Sequence, residues 1–122
     1  MEGLKGMSYD SIKSFNIADL VPRDYKLADF KYEVLKEQIE AFQQSLSDDV
    51  DVCVSFASFG TSTLMFVSDI SYQNPDLMYF WGQINGNEAQ LIQHVSQLNF
   101  ILMAVKKENP KDQPRRIGFL AE

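Results

Sequence analysis

The hydrophobic pattern first becomes regular just after residue 28, where it has the period of a helix. Asp29 is a good N-cap, and four apolar residues behind it recur at spacings of four, three and four: Leu35, Ile39, Phe42 and Leu46. Charged and amide side chains occupy the other side of the helical wheel. The pattern therefore predicts an amphipathic helix that begins at Phe30 and ends near Ser47.

Three strand-like segments follow this helix. Apolar and polar residues alternate over residues 50–57, and the β-branched and aromatic run 61–70 is expected to be their antiparallel partner. Asn74-Pro75-Asp76 lies in a turn, because Asn and Asp favour turns and the residue before proline avoids the helical region. The large residues of 77–84 then predict a third strand that is buried on both faces.

Two interpretations compete for residues 85–107. In the first, Asn85-Gly86 is a type I′ hairpin turn and Glu88–Gln93 form a fourth strand. In the second, Asn87 caps a long helix that ends near Lys107, where the two lysines suit a helix C-terminus. We favour the helix because five apolar residues are spaced four, three, four and three: Leu91, Val95, Leu98, Leu102 and Val105.

The segment order defines the predicted fold class. Residues 116–120 are expected to form a short last strand after a proline-bearing loop. We therefore predict one α+β domain over residues 29–122, with an N-terminal helix, a three-stranded antiparallel meander, a second long helix and a short C-terminal strand. Residues 1–28 show no sustained period and are expected to form an N-terminal arm.

Composition narrows the classes of function. A net charge of −6 and a pI near 4.7 make nucleic-acid or anionic-membrane binding unexpected, because both need a positive field. No run approaches the roughly 18 apolar residues of a membrane span. The single cysteine, Cys53, cannot form an internal disulfide, and zinc-ligand spacing is absent. We expect an acidic, soluble, cytoplasmic protein without a cofactor or a metal.

Candidate chemistry begins with His94, the only histidine. A general base needs a partner, and its sequence neighbours are amides and a serine, so a partly buried, hydrogen-bonded histidine is the simpler expectation. A catalytic role would need an acid from elsewhere, and Asp69 and Asp76 are the nearest by topology. Cys53 alternates with valines in a strand, where a buried thiol is inert.

Two further groups could contact a ligand. Arg115 and Arg116 belong to the only basic cluster, and guanidinium groups match carboxylate or phosphate, but a solvated tail is the favoured explanation. Trp81 and its neighbouring aromatic residues could line a ligand face, but core packing is the default for alternating strand residues.

The motif Leu91–Asn99, LIQHVSQLN, resembles a small bacterial domain family of unknown function. The resemblance also takes in the turn at residues 74–77 and the terminal RRIGF of residues 115–119, and it spans roughly residues 57–119. It implies an uncharacterised domain, contributes no catalytic residues, and carries an association with inhibitor or antitoxin roles.

We therefore expect a non-enzymatic interaction module that binds a protein partner or a small anionic ligand. The predicted second helix carries Ile92, Phe100 and Met103 outside its main apolar stripe, so a homodimer is expected to cover them. The alternative is a small hydrolase or ligand-binding enzyme that uses His94 with an acid, and the arginine pair as an anion clamp. The candidate binding residues are His94, Gln97, Asn99, Asn74, Asp76, Trp81, Arg115 and Arg116.

Overall fold

The computed structural model describes residue 24 and residues 26–57 and 63–120. This part of the chain contains one α-helix and six strands. Their bounds in chain order are α1 (Ala28–Gln44), β1 (Val50–Phe56), β2 (Leu64–Gln73), β3 (Leu77–Ile84), β4 (Asn87–His94), β5 (Phe100–Lys106) and β6 (Gly118–Phe119).

The strands form one sheet in the order β4-β3-β2-β1-β5, with β6 placed beside β2. All neighbours are antiparallel except β2 and β6, which are parallel. β1 pairs with β2 only at Val54–Met65 and Ser55–Leu64, and β6 takes up the same edge of β2 at Asp69 and Ile70. The C-terminal segment therefore fills the gap where β1 diverges from β2.

The core lies between α1 and the concave face of a strongly curved sheet. Tyr32 and Ile39 of the helix are buried against this face. The Phe80 and Phe100 rings are 5.8 Å apart, and each also contacts Phe56. Because β3 and β5 are not neighbours in the sheet, their contact requires the sheet to curl over its own inner face.

The predicted second long helix is wrong, and with it the predicted fold class of a three-stranded meander with two helices. Residues 87–106 form β4, a short 3₁₀ turn at Val95–Gln97 and β5. Asn85 and Gly86 both have positive φ values, 53° and 80°, as the two central positions of a type I′ turn require. That turn sends β4 back along β3, so the hairpin interpretation is the one that the structure shows.

The helical spacing in this region arises from two strands and the turn between them. Leu91 belongs to the inward side of β4, Val95 and Leu98 pack on the core from the connection, and Leu102 does so from β5. Each strand alternates with a period of two, but the connection shifts the phase. The joined pattern then imitates the three-and-four spacing of a helix.

The N-terminal helix and the first three strands occur where the pattern placed them, with shifted ends. α1 starts at Ala28, so Asp29 lies inside the helix, and the N-cap residue Leu27 makes no side-chain capping bond. The last strand is present as β6. Most of the expected N-terminal arm, residues 1–23, lies outside the described residues.

Candidate functional site

The turn between β2 and β3 holds the start of α1. The Asn74 side-chain oxygen accepts a hydrogen bond from the Asp29 N–H at 2.9 Å, and the Pro75 carbonyl accepts one from the Ala28 N–H at 2.8 Å. Helix N-termini leave such donors without intrahelical partners. Asn74, a predicted binding residue, therefore caps the helix from a distant part of the chain.

The same turn is joined to the end of β4 through His94. The His94 Nε2 atom lies 3.1 Å from Asp76 Oδ2, and Nδ1 lies 2.8 Å from Ser96 Oγ. Nδ1 also accepts the Ser96 backbone N–H at 3.1 Å, which places the ring hydrogen on Nε2 facing Asp76. The Asp76 carbonyl adds a bond from the Val95 N–H at 2.8 Å.

The Asp76–His94–Ser96 chain has the residue types of a hydrolase triad, and Asp76 is one of the two acids expected near His94. The side chains of His94 and Asp76 are about half exposed, at 48% and 45%. The Ser96 hydroxyl, however, shares the Nδ1 lone pair with its own backbone N–H. This arrangement fixes the chain reversal after β4, and it leaves the ring only partly available to activate the hydroxyl.

Arg116 is used by the backbone at the opposite end of the sheet. Its guanidinium donates to the carbonyls of Val50 at 2.7 Å, Ser47 at 2.9 Å and Arg115 at 3.0 Å. Charge-assisted bonds of this kind are stronger than neutral ones. Arg116 therefore clamps the C-terminal segment onto the connection between α1 and β1.

Arg115 lies beside the same clamp and is half exposed. Its backbone N–H donates to Asp51 Oδ1 at 2.7 Å, and its guanidinium lies over the Phe66 ring, 4.2 Å from the centroid. It borders a cavity of about 370 Å³ that also carries an acid, so a bound anion would meet both signs of charge. The lining is Phe66, Val67, Ser68, Gly82, Gln83, Glu88, Arg115 and Arg116.

The arginine pair and His94 lie at different ends of the sheet. Glu88, which lines the arginine cavity, and His94 are both on β4, where they pair with Gln83 and Leu77 of β3. Six residues of strand separate them, which corresponds to about 20 Å. The structure therefore brings Asn74, Asp76 and His94 together and keeps the arginines apart from them.

The remaining predicted binding residues are scattered over the surface. The Trp81 ring stacks on Tyr79, with centroids 5.7 Å apart, on the face of β3 opposite the core. Gln97 is exposed in the 3₁₀ turn. Asn99 is exposed too, and its backbone carbonyl accepts the Ala57 N–H at 2.9 Å. Only Trp81 lies on an aromatic surface that a ligand could contact.

Sequence patterns did not single out two glutamines whose environments are set by the fold. Gln43 of α1 accepts the Ile117 N–H at 2.6 Å and donates to the Ile117 carbonyl at 3.1 Å, as a neighbouring strand would. Gln93 is 4% exposed, and its Oε1 atom has no hydrogen-bond partner among the described residues. The role of Gln43 has no local sequence signal, because it depends on Ile117, which is distant in sequence.

Chemical reactivity is low in the described interior. Cys53 is fully buried, and burial, with a smaller contribution from Asp51, raises the pKa of its thiol. Over residues 26–57 and 63–120, no three His, Cys, Asp or Glu side chains converge in a group that could hold a metal. No helix in this part of the chain is long and apolar enough to cross a membrane.

Comparison with protein families gives a match to this chain. A model described as "Family of unknown function (DUF6173)" matches residues 23–120. The chain belongs to this family. The match includes α1 and β1 and covers all the described residues, and an uncharacterised family is what the sequence resemblance implies. No curated protein and no solved structure matches the chain significantly.

Proposed function

We propose that this DUF6173 chain is a non-enzymatic interaction module that self-associates through β5. The proposal rests on the outer edge of β5, which is unpaired among the described residues. β5 pairs with β1 from Phe100 to Lys106 without a break, and no described residue pairs with its other edge. Ile101, on the face away from the core, is 61% exposed.

The two edge strands of the sheet differ in their protection. β4 presents three polar residues, Glu88, Gln90 and His94, on its exposed face beside the apolar Ile92. β5 has the sequence FILMAVK, with its only charge at Lys106, and has no proline and no bulge. Natural sheets usually protect exposed edges with charges, prolines or bulges, because a bare edge pairs with other chains. An unprotected apolar edge is typical of a binding surface.

The roles of the motif residues also support a binding function. Asn74 caps α1, His94 and Asp76 hold the β4 end, and Arg116 clamps the C-terminal segment. These residues stabilise the fold through internal bonds. An inhibitor or antitoxin-like role, in which β5 binds another protein in place of its own copy, is an alternative use of the same strand.

The test is the oligomeric state of the full chain by light scattering at tens of micromolar. The wild type is expected to be a dimer, and Ile101→Lys is expected to shift it towards the monomer, because a charge replaces the apolar cross-strand contact of Ile101. Ile92→Lys is the matched control, since Ile92 is 56% exposed on the other edge strand and should stay dimeric. A monomeric wild type, or a dimer that Ile101→Lys leaves intact, would refute the proposal.

A second candidate is favoured by the Asp76–His94–Ser96 chain. In this alternative, a small hydrolase uses Ser96 as nucleophile and His94 as base, without the distant arginine pair as anion clamp. Turnover of ester substrates by the wild type, lost in a folded His94→Ala variant, would support it. Equal background rates for the two proteins would exclude these substrates.

A further inference from the structure

The hydrogen bonds at both ends of the β1–β5 ladder show which backbone groups of β5 point to its free edge. Antiparallel strands alternate between residues whose N–H and C=O face the partner and residues whose groups face away. In β5 the odd-numbered residues face β1, so Leu102 and Ala104 present their groups to the free edge. Two bonds set this phase: Ala57 N–H to Asn99 O at 2.9 Å, and Lys107 N–H to Asp49 O at 3.1 Å.

We infer that the occupant of this edge is β5 of a second copy, antiparallel and related by a two-fold axis beside Met103. This inference rests on the proposed function and specifies its geometry. Leu102 of each copy exchanges both backbone hydrogen bonds with Ala104 of the other. Met103 then faces its own symmetry mate in a non-hydrogen-bonded pair.

Hydrogen-bond phase and strand length favour this register. A shift by one residue would place outward N–H and C=O groups opposite groups that point toward β1, so the bonds could not form. A shift by two residues keeps the phase but leaves the ends of both strands unpaired. The register centred on Met103 pairs the whole of Phe100–Lys106 with its copy.

The distribution of charge also favours two copies meeting here. The chain has a net charge of −6, so most of its surfaces repel a second copy, but residues 99–107 contain no acidic residue. In the proposed register Lys106 lies opposite Phe100 of the second copy. The two Lys106 residues are six positions apart, about 20 Å, beyond the screening length of about 8 Å at physiological salt.

Disulfide trapping tests the register. Met103→Cys should cross-link under mild oxidation, because a non-hydrogen-bonded antiparallel pair has Cα atoms about 4.5 Å apart, within the disulfide range. The variant is made together with Cys53→Ala, since Cys53 is the β1 partner of Met103 and could capture the new thiol. Ile101→Cys in the same background is the matched control and should stay largely uncross-linked, because the register places it opposite Val105 of the second copy.

Ala104→Pro tests edge pairing itself. Proline removes an N–H that faces the free edge and leaves the β1–β5 hydrogen bonds in place, so the variant should fold and become monomeric. Ala104→Val retains the N–H and should remain dimeric. A dimer that Ile101→Lys dissociates, but that neither cross-links at position 103 nor responds to Ala104→Pro, would overturn this inference and leave the proposed function standing. A monomeric wild type would overturn both.

Discussion

The bond pair between Gln43 and Ile117 gives the most direct test of how the C-terminal motif is held. Gln43→Ala leaves the backbone N–H and C=O of Ile117, a residue that is only 4% exposed, without their hydrogen-bond partners. An orphaned buried group costs about 1–3 kcal/mol, and the half-buried position of Gln43 favours the lower end for each. Alanine returns a few tenths of a kcal/mol of helix propensity. The net expected loss is about 2 kcal/mol in the free energy of unfolding.

The assay is equilibrium unfolding in urea, followed by circular dichroism and by the fluorescence of Trp81, the only tryptophan. The midpoint should fall while the m-value stays constant, and the melting temperature should drop by roughly 8 °C. Gln44→Ala is the matched control, because the neighbouring glutamine is exposed at the same helix end. It should change stability by less than about 0.5 kcal/mol. If the two variants are equally stable, the side-chain clamp on Ile117 is not a stabilising feature of the fold.

Three further predictions concern other polar contacts. Gln93→Met replaces a buried amide whose oxygen is unpartnered among the described residues, so urea midpoints should show equal stability or a gain of up to about 1 kcal/mol; a loss of that size would reveal an important amide contact. Asn74→Ala removes the cap on α1 and should cost about 1 kcal/mol, whereas an unchanged melting temperature would contradict capping. The hydrogen bond from the Ser47 hydroxyl is the main cause of the lowered pKa of Asp49. The stability that this bond contributes is therefore present above the unfolded pKa of about 3.9 and is lost as the pH falls through the folded pKa. Ser47→Ala should therefore lower the urea midpoint at about pH 7 and match the wild type near pH 2; an equal difference at both pH values would contradict this linkage.

The candidate site could be predicted in part, and the limit is set by sequence separation. The order of the segments makes Asp69 and Asp76 the nearest candidate acids for His94, and the structure places Asp76 Oδ2 3.1 Å from His94 Nε2. The separation of the arginine pair from His94 could not be foreseen while residues 91–105 were assigned to a helix. In the hairpin, β4 runs antiparallel to β3, and this places Glu88 and His94 at opposite ends.

The sequence by itself determined the elements whose signals are local. α1 follows from one uninterrupted amphipathic period, and β1 from a strict alternation of apolar and polar residues along one segment. The sequence also shows that residues 100–106 are apolar except for Lys106. Such a segment exposes an apolar surface whether it forms a helix or a strand, and that surface is expected to be covered by other residues.

Only the tertiary structure decided what β5 is and which of its edges is free. A spacing of three and four residues arises from one helix or from two strands offset by a turn, and local sequence does not separate the two. The choice follows from long-range pairing, in which residues 100–106 complete the ladder of β1 some fifty positions earlier. Other long-range contacts place the Gln43 amide on Ile117 and Asn74 on the start of α1, and their partners lie too far apart in sequence for a local pattern to show.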